Sequence, residues 1–436
     1  MKIIIAILWF LIFAKLLFFW LWLWQLKEYH LGRLGAHFET QAVRKVLSGF
    51  WRIKYPKLTL KIILISLVCL TVEILLLMSF QIVPAILLTL FLIPPLVLFF
   101  QIPSAIWRKI AIGRARKKRA LFKDLLVIGI TGSYGKTSTK EFLAELLSSR
   151  FKVLKTKEHQ NSEIGISRCI LHELQRGHEI LVVEMAAYNK GGIKLLCDMV
   201  KPKIGIITGV NEQHLATFGS MENLLSAEGG GELIESLPAD GIAFFNANNK
   251  HCLDLYQRTE IKKFLYGKNS AFPGEENILG ARLVARELGM QEEEISQAVK
   301  RIENRFPGIE TKKGINGLTI IDATYSANPT GVLAHLEYLK TQPGKKIIIM
   351  PCLIELGEAS ERVHREIGRN IGEVCDLAII TTKDRFKEIQ EGVGSQAVFM
   401  ENPKEILEKI KDFAGRGDVV LLESRLPDQL ISGLLI

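Results

Sequence analysis

Acidic side chains are almost missing from the first 124 residues, where four Asp or Glu stand against 18 Lys or Arg. That segment carries +14, so the remainder of the 436-residue chain carries −4 within a net of +10. A basic balance confined to one third of the chain leaves no nucleic-acid footprint on the rest, and no nucleic-acid partner is expected. Cysteine is sparse as well. Six scattered residues form no Cys-x-x-Cys pair, which excludes a disulfide scaffold or zinc ribbon and fits a reducing compartment. Internal repeats and low-complexity linkers are lacking. With 48% hydrophobic and 23% charged residues the chain is neither disordered nor collagen-like, and its length suits two or three domains.

Long apolar runs fill the N-terminal third. Residues 3–24 are long enough to cross a bilayer core and end in Trp20, Trp22 and Trp24, as an interfacial aromatic belt would. Residues 60–80 and 82–102 form two further apolar stretches, read as a hairpin of spans or a re-entrant pair. Seven Lys/Arg in 25–59 and eight in 103–124, including RARKKR at 114–119, set both flanks on the cytoplasmic side. The expectation is a multi-pass protein of the cytoplasmic (inner) membrane with its catalytic domains in the cytoplasm and the lipid bilayer as a partner. The basic run reads as a stop-transfer flank or a site for anionic headgroups. Lys15 and Glu73, inside the apolar runs, read as a snorkelling lysine or a mutual pair.

From residue 125 strand-like and helix-like segments alternate. LLVIGIT (125–131), FKVLKT, EILVVEMAA (179–187) and IGIITGV (204–210) are short apolar runs separated by helical stretches at 136–150 and near 163–176. A second block repeats the pattern from about 317, with strands in GLTIIDATYS, KKIIIMP, LAIITT and DVVLLES and helices at 329–341, 359–373 and 403–414. Such alternation predicts doubly wound parallel sheets covered on both faces. The expected fold is α/β, with N-terminal transmembrane helices, a P-loop-type central ATPase domain and a Rossmann-like C-terminal domain. The expected boundaries are 1–124 for a membrane anchor, 125–312 for the central domain and 313–436 for the last.

The segment TGSYGKTS, Thr131 to Ser138, follows a predicted strand and opens a predicted helix, the context of a phosphate cradle. Gly132 and Gly135 let the backbone close around phosphate oxygens, with Ser133 and Tyr134 between them, and the free N–H groups favour an anion. Lys136 supplies a charge for the outer phosphates, and the Thr137 hydroxyl suits Mg²⁺. Ile130 stands where the longer eight-residue pattern has glycine, so this is the short GxxGKT form. Glu184, at the end of ILVVEMAA, sits where a strand faces a ligand crevice and can hold Mg²⁺. His214, in TGVNEQHLATFGS, can ligate a second Mg²⁺ as a neutral imidazole. A nucleotide with Mg²⁺ is the expected ligand of this site.

These motifs, in this order, resemble the Mur ligase family of peptidoglycan synthesis over about 125–436. TGSYGKTS is similar to the family's ATP loop, NSEIG (161–165) to its substrate segment, and IIDATYSANP (320–329) to its D-x-x-Y-x-x-NP motif. VVEMAA, ITGVNEQHLATFGS, PGEENILGARLVARELGM (273–290) and LIELGEASERVHREIG (353–368) follow in register. The likeness is greatest to members that add D-Ala-D-Ala to a muramyl tripeptide. It implies an ATP-dependent acid–amino-acid ligase working through an acyl phosphate. It further implies Lys136, Glu184, His214 and Glu228 as catalytic residues, Thr137, Glu184 and His214 as metal ligands, and Asn161 as a substrate contact. Asp322, Tyr325 and Asn328 would contact the nucleotide. The chain departs from the family in four places: its uridine-nucleotide domain is replaced by the apolar segment, Glu228 stands where a carbamylated lysine is expected, 248–273 is short, and Ile309 and Glu423-Ser424-Arg425 replace basic motifs.

Three readings follow. One is a membrane-anchored peptide ligase using a muramyl-peptide precursor, UDP-linked or lipid-linked, with D-Ala-D-Ala or another amine donor. A second activates a lipid-linked muramyl peptide for amidation with a glutaminase partner. A third is a membrane-tethered, ATP-binding pseudoenzyme that scaffolds other cell-wall enzymes.

Overall fold

The computed structural model describes residues 2–26, 55–79, 95, 99, 101–158, 160–268, 270, 274–305, 310–324 and 328–435. The chain forms two compact units, Met1–Ile110 and Ala111–Ile436.

In the first unit, helices Lys2–Leu26 and Leu60–Ser79 pack along Trp9, Phe13, Leu17, Leu21, Ile62, Ile65 and Cys69. Glu73 is buried and accepts a hydrogen bond from the Trp9 indole at 2.5 Å, so its polar contact includes an aromatic donor that the sequence reading did not pick out. The expected span at 82–102 lies largely outside the described residues. Among those described, one helix, over Ile7–Gln25, is long and apolar enough to cross a membrane, a signal that an N-terminal leader also gives. The multi-pass placement in the inner membrane and the set of transmembrane helices in the expected fold are therefore corrected.

The second unit begins within the helix Gln101–Ala120, earlier than the expected boundary at 124. Ile112 and Ala115 are buried in the core of the following sheet. Arg119 donates to the carbonyls of Val200, Phe122 and Leu125 at 2.9–3.2 Å, and Lys118 to that of Leu171 at 3.0 Å. Part of the basic run is thus used to close the domain rather than to meet solvent.

Two sheets follow, the first wholly parallel and the second parallel but for one edge strand. The first has strands β1 (Leu126–Thr131), β2 (Val153–Lys155), β3 (Ile180–Glu184), β4 (Ile204–Ile207), β5 (Ile242–Asn246) and β6 (Lys262–Tyr266), in the order β2-β3-β1-β4-β5-β6. Strands β1, β3 and β4 are almost wholly buried, as continuous apolar strands between two helical layers must be. Connections leave β1 toward one edge and reach β4 on the other side, so the carboxyl ends of β1, β3 and β4 frame the switch-point crevice. Register pairs Ile130 with Glu184 and Thr131 with Ile207, bringing both chemical candidates to one rim.

The second sheet has β7 (Glu310–Lys313), β8 (Thr319–Ala323), β9 (Lys346–Met350), β10 (Leu377–Ile380), β11 (Ala397–Phe399) and β12 (Val419–Glu423), in the order β11-β10-β9-β12-β8-β7 with β7 antiparallel. The expected helices appear at Lys136–Leu147, Pro329–Lys340, Ser360–Val374 and Pro403–Phe413. The stretch near 163–176 differs. Ser162 caps a short helix, Glu163–Arg168, which passes into a wider turn over Cys169–Glu173.

Candidate functional site

The turn after β1 has the backbone that a phosphate requires. Gly132 and Gly135 have φ of 142° and 78°, values at which a side chain is strained. A Cβ on Gly135 would also lie 2.7 Å from the Asn277 carboxamide oxygen, so the loop is wedged against the helix Glu275–Glu287. Gly135 starts the helix Lys136–Leu147 without a side-chain cap, leaving its first N–H groups turned to the loop. Thr131 is buried, and its carbonyl accepts from the backbone and hydroxyl of Thr208 at 3.0 and 3.1 Å. Thr137 is half-buried and Ser138 exposed.

Lys136 is folded onto its own loop. Its ammonium donates to the Gly132 carbonyl and, at 3.3 Å, to that of Ser133, and lies 3.6 Å from the Glu228 carboxylate. Glu228 has no exposed surface. Both its oxygens lie within 3.0 Å of His214 Nδ1, and the Ser133 hydroxyl is 3.4 Å away. Burial pushes the Glu228 carboxyl up, but the charges of His214 and Lys136 and the hydrogen bonds from His214 and Ser133 outweigh it, and the group is held below the ordinary range. The glycine run after Glu228 makes this possible. Gly230 has φ of 97°, and a Cβ on Gly229 would meet the Leu225 backbone at 2.5 Å.

Glu184 forms a second centre. It is 4% exposed, accepts from the Asn161 amide at 3.0 Å, and lies 3.2 Å from the ammonium of Lys140. Lys140 has no exposed surface and also meets Glu141 at 3.2 Å, yet its ammonium makes no well-directed hydrogen bond. The sequence reading passed over Lys140. The signal was its position four residues after Lys136, on the same helix face. Asn211, Asn249 and Asn277 were passed over as site residues too. Asn277 accepts from Thr139 at 3.0 Å, and Asn249 donates to the Tyr134 hydroxyl at 3.3 Å.

Of the candidates of the last domain, Asn328 reaches this site through Asn211, whereas Asp322 is tied within its own domain. Asp322 pairs with Lys312 at 2.8 Å and accepts from the Thr324 backbone and hydroxyl. Burial pushes its carboxyl up, and the Lys312 and Thr324 contacts bring it below the ordinary range. Asn328 caps the helix Pro329–Lys340 and accepts from Asn211 at 3.0 Å. Tyr325 lies outside the described residues.

Among the described residues no group of three His, Cys, Asp or Glu side chains is arranged to hold an ion. Mg²⁺ needs fewer protein ligands than that, since one or two carboxylates or hydroxyls complete a shell supplied by phosphates and water. The hard oxygen donors Thr137 and Glu184 fit such an ion. His214 keeps Nε2 for an ion while Glu228 holds Nδ1, the arrangement in which a carboxylate orients a ligating imidazole.

Comparison with known proteins gives matches over the same region. Residues 130–305 match the Mur ligase middle domain, and residues 304–426 match the Mur ligase glutamate ligase domain. The UDP-N-acetylmuramoyl-tripeptide–D-alanyl-D-alanine ligase of Synechocystis sp. is 30% identical over 56% of this chain and 59% of that protein. The ligase of the same name from Bacillus subtilis is 27% identical over 68% of this chain and 72% of that protein. Among solved structures, the MurF ligase of Thermotoga maritima in complex with ADP aligns with a TM-score of 0.64 and 26% identity, over 75% of this chain and 83% of that one. The chain thus spans about three fifths of the length of the first of these relatives.

Proposed function

The chain belongs to the Mur ligase family, and from that premise we propose that it is an ATP-dependent amide ligase acting on a peptidoglycan precursor. The reaction joins the carboxylate of a muramyl peptide to an amine through an acyl phosphate, and addition of D-Ala-D-Ala to a muramyl tripeptide is the favoured case. The observation that carries this reading is the buried cluster of Lys136, Ser133, His214 and Glu228 against a helix-opening glycine turn. It is a set of compensated charges beside free backbone donors.

The chemistry demands positioning and neutralisation of phosphate charge more than covalent help from the protein. Lys136 exchanges the loop carbonyls for the terminal phosphate oxygens of ATP. Glu228, left with His214, holds that imidazole in one orientation. Thr137 and Glu184 would hold Mg²⁺, which would supply screening of the phosphate charge. Asn161, anchored on Glu184, faces the acceptor carboxylate. Tyr325 and Asn328 serve the nucleotide from the last domain, beside a strand that Asp322 braces through Lys312.

The test is ADP release from the purified full chain with a panel of acceptors, UDP-linked and lipid-linked muramyl peptides, each with D-Ala-D-Ala, with ammonia or with no amine. The ligase reading expects release only when acceptor and amine are both present, and none from Lys136→Ala. Use of ammonia in place of the dipeptide points to amidation. Nucleotide binding without release in any combination overturns the ligase in favour of a scaffold.

A further inference from the structure

Asn211 stands where three parts of the site meet. It follows β4, is 5% exposed, and its carboxamide oxygen caps the turn Glu212–His214 by accepting from the Gln213 N–H at 3.1 Å. Its amide donates across to the last domain, to Asn328 at 3.0 Å and to the Thr330 hydroxyl at 3.1 Å. Its main-chain carbonyl lies 3.3 Å from the Ser133 hydroxyl of the phosphate loop. Two further links bind the same segment to the last domain: Ala216 N–H donates to the Glu355 carbonyl at 3.1 Å, and Glu212 pairs with Arg362. Three residues beyond Asn211 lies His214, in contact with Glu228.

We propose that Asn211 is a positioning residue that couples seating of the last domain to the geometry of the phosphate loop and of His214. Its two amide hydrogens are both used across the domain boundary and its oxygen fixes the turn that presents His214. A shift of Asn328 and Thr330 therefore moves the imidazole and the loop together. An amide suits this place because a side chain with only acceptors could not donate to both partners. This inference rests on the ligase reading for its kinetic consequence, but not for its structural one.

The experiment uses the full chain with Asn211→Ala and Thr330→Val, which remove the contact from opposite sides, and the double variant. Backbone hydrogen exchange is read first. Both single variants are expected to speed exchange in peptides covering 209–218 and 353–359 while leaving β3 unchanged. Unchanged exchange at 209–218 in both overturns the coupling, whether or not the chain proves to be a ligase. In turnover, each single variant is expected to lower kcat about tenfold, with the Kd for ADP held within about twofold, and the double variant to be no worse than the worse single one. Multiplying effects, or a loss confined to ADP affinity, also overturn it. Should Asn211→Ala fail to fold, Thr330→Val carries the same readouts. Failure of the wild-type chain to release ADP with any acceptor sinks the ligase reading alone.

Discussion

The two sheets end in different chemistry. At the carboxyl rim of the first, Glu184 and Glu228 are buried and are met by Lys140 and Lys136, cations one turn apart on the helix that opens the phosphate loop. At the rim of the second, Asp322 is paired with Lys312 of the neighbouring strand, and Glu423 with His335 at 2.7 Å. Burial pushes the Glu423 carboxyl up despite that contact. The first set hangs on a loop with unspent N–H donors, so its lysine has somewhere else to go when an anion arrives. The second set ties elements of one domain to each other and has no such alternative. Identical layer architecture thus yields an exchangeable charge cluster on one rim and fixed braces on the other.

Breaking the exchangeable side should have the largest effect. Lys136→Met is expected to cut ADP release by about 10³-fold or more, since the charge it supplies is preorganised for the phosphates, while circular dichroism shows the chain still folded. Lys140→Met tests whether the neighbouring lysine is brace or participant. It leaves Glu184 buried and unpaired, and a stability loss of about 3–5 kcal/mol is expected in urea unfolding, with partial recovery in the double variant Lys140→Met, Glu184→Gln. On the fixed side, Asp322→Asn should be milder, about 1–3 kcal/mol at pH 7. Its native carboxyl lies below the ordinary value of 3.8, so its contribution is present above that pH and is lost as pH falls through the lower, native value. Melting curves of wild type and Asp322→Asn should therefore converge under acid. Curves that stay parallel down to pH 2 would mean that Lys312 is not the partner that matters.

Much of this was legible in the chain itself. The apolar runs at 126–131, 180–184 and 204–207 declared buried parallel strands because nothing polar interrupts them, and Gly132 and Gly135 marked the turn because only glycine tolerates its dihedrals. Glu184 and His214 stood where strands end. What stayed hidden depends on contacts distant in sequence. Lys140 looks like a helix-surface lysine until Glu184 is folded against it. Asn211 and Asn277 gain meaning from partners 117 and 138 residues away. Pro202 and Gly241 flank starts of β4 and β5, yet the half-exposed strand β6, which opens on Lys262 and Lys263, gives too weak an alternation to read. The N-terminal third misled in a different way. Apolar length alone does not separate a membrane span from a leader or a packed helix, so it overstated the membrane assignment.

The central claim is that Lys136 leaves its loop for a nucleotide. A crystal structure of the full chain with a nonhydrolysable ATP analogue and Mg²⁺ tests it most directly. The expected result is the Lys136 ammonium within hydrogen-bond distance of the outer phosphates and no longer on the Gly132 carbonyl, with the phosphates cradled by the N–H groups at the start of the helix Lys136–Leu147. An analogue bound elsewhere, or bound here with Lys136 still on Gly132 and beside Glu228, would contradict it.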